Sequence, residues 1–83
     1  MGFVYMLESL SSGRYYTGST DDLDRRVSEH QRGKNLATRG RGPWKLVYFE
    51  RFDLLADARR RELEIKRWKS AKLTKALIAD SAS

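Results

Sequence analysis

The sequence predicts an α+β domain with its elements in the order ββαβαα. Two kinds of pattern alternate along the chain: short aromatic and β-branched runs bounded by turn residues, and stretches whose apolar residues recur at helical spacing. Eighty-three residues are enough for one domain and one core. Residues 1–79 are assigned to that domain and 80–83 to a frayed tail.

The first element pair is a β-hairpin. Residues 3–7, "FVYML", are apolar, "SLSSG" supplies the turn, and "RYYTG" resumes a strand. A register centred on the loop sets Tyr5 opposite Tyr16, with both hydroxyls on one face. After Gly18, "STDDLDRRVSEHQRG" has Ser or Thr to cap a helix, acids in its first turn and Gly33 past its end, which predicts a helix over residues 21–32. On that helix Leu23, Arg26, Val27 and His30 form one stripe, while Arg25 points away. An arginine on the side that must be buried calls for a phosphate, a carboxylate or a ring.

"GKNLATRGRGP" is a glycine-rich loop. With the adjoining strand it carries Lys34, Arg39, Arg41 and Lys45, and no acid occurs from residue 33 to 49. "WKLVYFERF" is the third strand, expected in plain alternation. Asp53 is expected to cap a helix to about Lys69, with Leu54, Leu55, Ala58, Arg61, Glu62, Ile65 and Trp68 on its inner face. Glu64, two residues beyond Glu62, falls roughly 160–200° away and should be solvated. A carboxylate on an apolar stripe needs a cation, either an internal arginine such as Arg61 or Arg26, or a metal ion. Ser70 caps a short final helix with Leu73, Leu77 and Ile78.

Composition narrows the function. Seventeen Lys and Arg against eleven Asp and Glu leave a net charge of +6, which favours a polyanion and nucleic acid first. With no cysteine and one histidine, disulfides, thiolate zinc sites and multi-histidine metal clusters are excluded. No apolar run reaches the roughly 18 residues of a membrane span and no leader pattern is seen, so a cytoplasmic protein is expected. Oligomeric state is left open.

"VYM", "YTG", "DLDRRVSEH", "TRGRGPWKLVYFE" and "ARRRELEIK", in that order and spacing from residue 3 to 69, resemble the GIY-YIG nuclease superfamily, most closely its small single-domain bacterial members. The resemblance implies a three-stranded antiparallel sheet flanked by helices, and metal-dependent endonuclease chemistry on nucleic acid, with DNA and its maintenance expected. It also implies roles: Tyr5 and Tyr16 match the motif tyrosines, Gly18 the second-motif glycine, Arg26 the helix arginine, His30 a histidine of some relatives, and Glu62 the metal ligand. The first-motif glycine is missing, since Phe3 and Val4 precede Tyr5, and Thr17 stands where the second motif has isoleucine. Neither lost side chain handles protons or metal, so packing rather than chemistry is expected to change.

In this reading Glu62 holds Mg²⁺ or Mn²⁺, Arg26 forks onto phosphate oxygens, and one tyrosine activates water. Which tyrosine does so stays open; a phenolate at neutral pH would need a cation nearby, the metal or His30. Lys34, Arg39, Arg41 and Lys45 would hold the nucleic-acid backbone. Two other readings stand beside it: a nucleic-acid-binding module with this fold and little or no cleavage, and a basic interaction protein that works only with another protein.

Overall fold

The computed structural model describes residues 1–82, with side chains except at 71, 81 and 82. Strands β1 (Gly2–Ser9), β2 (Tyr15–Thr20) and β3 (Trp44–Phe52) form one sheet in the order β2-β1-β3, with β1 antiparallel to both neighbours. Helix α1 (Leu23–Gln31) lies between β2 and β3 in sequence, and α2 (Leu55–Trp68) and α3 (Ala71–Ala82) follow β3. This is the expected order ββαβαα. Among the described residues no helix is long and apolar enough to cross a membrane.

The central strand supplies both faces of the core because alternate residues point to opposite sides. Val4 and Met6 pack with Ile65 of α2, joined by Val47, Tyr48, Trp68, Leu77 and Ile78. Tyr5 and Leu7 pack on the other face with Trp44, joined by Tyr16, Leu23, Val27 and Leu46. Gly2 lets α2 lie against the start of β1, since a Cβ there would come within 2.6 Å of the Leu55 backbone.

Several boundaries differ from expectation. The hairpin register is shifted: Tyr5 pairs with Gly18 and Tyr16 with Leu7. The turn is closed by Ser9 N–H donating to Arg14 O (2.8 Å) and Gly13 N–H to Ser9 O (2.8 Å), with Gly13 at φ +76°, and five residues, 10–14, separate the strand ends. A two-residue slip preserves the face, and both tyrosines stay on the α1 side. Strand β3 does not alternate plainly. A bulge opposite Met6 and Leu7 turns Val47 and Tyr48 to the α2 side together.

The caps moved as well. Asp22, not Ser or Thr, caps α1 by accepting from Arg25 N–H (3.1 Å), so the helix is shorter than 21–32. Leu54 occupies the N-cap of α2 with no side-chain bond; it is exposed rather than on the inner face, and Asp53 lies one residue too early. Lys69 ends α2 in the left-handed conformation at φ +48°. Ser70 caps α3 as expected, accepting from Leu73 N–H (3.3 Å). The residues expected as a tail form the last turn of α3 up to residue 82, and Ser83 lies outside the described residues.

Candidate active site

Helix α1 lays Leu23 and Val27 on the sheet face that carries Tyr5, Leu7, Tyr16 and Trp44, which brings His30 onto the two tyrosines. Tyr5 is 2 % exposed and His30 1 %. The ring centroids of Tyr16 and His30 lie 5.0 Å apart, those of Tyr5 and His30 5.7 Å, and those of Tyr5 and Tyr16 6.4 Å. The Tyr5 hydroxyl is 2.7 Å from His30 Nε2, and His30 Nδ1 is 2.7 Å from Thr38 Oγ1. Thr38 donates its own proton to Asn35 O (3.5 Å), which leaves its oxygen to accept from Nδ1–H and Nε2 to accept from Tyr5.

Burial and the neighbouring charges bias the charge states of the pair. Burial, joined by the Arg26 guanidinium, lowers the His30 pKa below 6.5 against an opposing pull from Glu29, so the imidazole is neutral at pH 7. Burial and then the Tyr16 phenol raise the Tyr5 pKa well above the ordinary phenol range; Arg26 lowers it, while Glu62 and Glu29 add to the rise. A cationic His30 that favours a phenolate, one of the two aids expected from the sequence, is therefore not what this pocket holds.

Gly18 has a close-approach role and not a positive-φ one. A Cβ at this position would lie 2.6 Å from the Tyr5 hydroxyl oxygen, 2.7 Å from its Cζ and 3.2 Å from Tyr16 Cε2. The missing side chain is the space the Tyr5 phenol occupies.

Arg26 faces inward with Leu23 and Val27 while Arg25 is exposed, as the helical arithmetic anticipated. Its Nε is buried, 3.5 Å from a Glu29 carboxylate oxygen, and makes no hydrogen bond. A half-buried guanidinium whose buried Nε–H has no hydrogen-bond acceptor suits an incoming anion.

Glu62 comes from the opposite side of the sheet. Its side chain is 18 % exposed against 57 % for Glu64. One oxygen accepts from the hydroxyl of Ser19, and the other is paired with Lys66 one turn along α2. Ser19 follows Gly18 and points to the other face of β2, so the carboxylate and the phenols meet across one edge strand. They lie within electrostatic range of one another, since Arg26 lowers the Tyr5 pKa and Glu62 raises it.

Arg61 is engaged elsewhere. Its Nε donates to Glu50 (3.1 Å), it pairs with Glu64, and its guanidinium lies 5.6 Å from the Trp68 ring centre. Tyr48 donates to the same Glu50, and its pKa is pushed up to about 12, by burial first and that bond second. This cluster ties α2 to β3 and leaves Glu62 to Ser19 and Lys66.

The basic loop is pinned from below. Ser9 and Ser11 hydroxyls donate to Arg41 O (2.7 and 3.3 Å), Trp44 Nε1–H donates to Thr38 O (3.2 Å), and Gln31 Oε1 accepts from Trp44 N–H (3.0 Å). Lys34, Arg39, Arg41 and Lys45 are all exposed. Arg41 lines a cleft of about 540 Å³ with Arg14, Tyr15, Tyr16 and Trp44, whereas Lys45 stands on β3 beside Glu8.

Three participants were not found from sequence. Thr38 and Asn35 hold His30 from a loop whose path has no periodicity to read. Ser19 had a signal: strand alternation after Gly18 sends it to the α2 face, where Glu62 lies.

Comparison with known proteins agrees with this architecture. The model of the GIY-YIG catalytic domain matches residues 1–75. A UPF0213 protein of Halobacterium salinarum is 49 % identical over 67 residues, covering 80 % of this chain and 86 % of that protein. A UPF0213 protein of Natronomonas pharaonis is 46 % identical over 79 residues, covering 94 % and 91 %. The solution NMR structure of a UPF0213 protein from Bacillus halodurans is similar with a TM-score of 0.59 and 41 % identity, over 95 % of this chain and 84 % of that one.

Proposed function

Because this chain belongs to the GIY-YIG catalytic domain family, a nuclease family, we propose that it is a divalent-metal-dependent endonuclease hydrolysing phosphodiester bonds in nucleic acid, DNA first. The observation that carries this reading is the bond from Tyr5 to a neutral His30 within the joint field of Arg26 and Glu62. A phenol with a raised pKa is a poor standing phenolate. Tyr5 instead passes protons: its oxygen takes one from the attacking water as its own moves to His30 Nε2, while Nδ1–H stays on Thr38. This assigns the base role to Tyr5 and leaves Tyr16, the more exposed of the pair, to orient water or phosphate.

Arg26 turns its guanidinium to the charge that develops on the phosphate oxygens. Glu62 would hold the metal. A single carboxylate steadied by the Ser19 hydroxyl, with Lys66 on the oxygen an ion would take over, fits Mg²⁺ or Mn²⁺, hard ions that keep most of their waters; among the described residues no group of three or more His, Asp or Glu gathers for one. Bound there, such an ion supplies Lewis acidity to the phosphate and the leaving oxygen. Lys34, Arg39 and Arg41 position the backbone from the pinned loop.

The test is incubation with single-stranded, duplex and branched DNA, and with RNA, in Mg²⁺ or Mn²⁺, comparing the parent with Glu62→Ala. Cleavage by the parent that disappears in Glu62→Ala while binding persists supports the enzyme. Salt-sensitive binding with no cleavage of any substrate by the parent would instead make the chain a nucleic-acid-binding module.

A further inference from the structure

A second cleft, of about 430 Å³, opens on the α2–α3 side of the sheet, away from the basic loop. It lies between the β1–β2 turn and the junction of the last two helices. Arg14 enters from the turn, Lys66 and Lys69 from the end of α2, and Lys75 from α3, with the hydroxyls of Thr17 and Thr74 between them. No residue lining it is acidic. Lys66 is held by its ion pair with Glu62, but among the described residues no ion pair accounts for Arg14, Lys69 or Lys75, and four like charges around one concavity repel each other.

Position gives the cleft a meaning. Lys66 is the residue whose ammonium meets Glu62, so the cleft begins where the candidate metal ligand ends. Arg14 and Tyr15 line this cleft and also the one that contains Arg41 and Tyr16. The β1–β2 turn is thus a ridge between two basic hollows, one reaching toward the phenols and one toward the carboxylate.

We propose that this cleft, through Arg14, Lys66, Lys69 and Lys75, is a second binding site for the phosphate backbone of nucleic acid. A strand gripped in both hollows crosses the turn and is drawn along the β2 edge, where Tyr5 and Glu62 act from opposite faces. The inference rests on the nucleic-acid reading above but not on cleavage.

Binding is measured by fluorescence anisotropy with labelled duplex and single-stranded DNA, in EDTA, across a range of salt concentrations. Each lost phosphate contact removes about 0.9 from the slope of log K against log salt on duplex and about 0.7 on a single strand. Lys69→Gln/Lys75→Gln should therefore flatten the slope by about 1.8 on duplex and about 1.4 on single strands, with affinity falling alike for all sequences. Lys75→Gln alone, at an exposed helix position, should give half of that and guards against misfolding of the double variant. An unchanged slope in both variants, while Lys34→Gln/Arg39→Gln flattens it, would overturn this site and leave the loop's role intact. A parent that binds neither DNA overturns both readings. A flattened slope in a chain that cleaves nothing supports the site and removes only the enzyme.

Discussion

Replacing Gly18 by alanine adds one methyl group at the point where β2 touches the Tyr5 phenol. The new carbon would stand 2.6 Å from the hydroxyl oxygen and 2.7 Å from Cζ. Comfortable contact is about 3.5–4.0 Å, so the overlap is close to 1 Å. Tyr5 is 2 % exposed and has nowhere to retreat. Overpacking costs about 1–3 kcal/mol, and a phenol pushed off His30 leaves a buried acceptor unpaired at about 1–3 kcal/mol more, for a total of about 2–5 kcal/mol. A domain of this size loses about 4–8 °C of melting temperature per kcal/mol, so Gly18→Ala should melt at least about 8 °C below the parent by calorimetry or circular dichroism. The clash should also vanish with its target. In a Tyr5→Leu background, which lacks both overlapping atoms, the alanine should cost at least about 1 kcal/mol less. A shift under about 3 °C in the single variant, or strict additivity in the double, would refute the close-approach account of this glycine.

Three further outcomes follow from the same geometry. Tyr5→Phe and His30→Gln should each lower cleavage by about 10²–10⁴-fold with nucleic-acid affinity nearly unchanged, and the double variant should lose little more, as single-turnover rates would reveal. Ser19→Ala removes the hydroxyl that steadies Glu62 and should raise the Mg²⁺ concentration for half-maximal cleavage by about 10–100-fold, read from metal titrations. Stability should depend on pH at both ends. His30 has a folded pKa below its unfolded 6.5, so its contribution is complete above pH 6.5 and is lost as pH falls below it, at up to about 1.4 kcal/mol per pH unit, a slope absent in His30→Gln. Tyr5 and Tyr48 have folded pKa values above their unfolded 10, so their contribution is complete below pH 10 and is lost above it, for Tyr48 until about pH 12. Denaturant midpoints from pH 4 to 11.5 would measure both limbs.

What could be read from the sequence follows the physics of periodicity. Strand β3 was legible from "WKLVYFERF" because aromatics and turn signals bounded it, but its bulge was not, since an extra residue leaves no compositional trace. Helical spacing separated Arg26 from Arg25 and Glu62 from Glu64, and both pairs differ in burial in the sense expected. The same arithmetic placed Arg61 on the inner face without revealing Glu50, its partner on another element. Hairpin register failed for a similar reason: the turn closes through Ser9 and Arg14, and backbone bonds are silent in side-chain identity. Thr38 was invisible because a loop residue earns its place by a contact eight positions back, at His30.

The left-handed turn at Lys69 has its own consequence. A non-glycine residue there carries a steric penalty of about 1 kcal/mol that glycine would escape, so Lys69→Gly should fold more stably than the parent. The same substitution would remove one of the four cations that line the cleft proposed as a second phosphate site. A thermostabilised variant of this chain made by mending that joint would gain heat resistance and loosen its hold on polyanions.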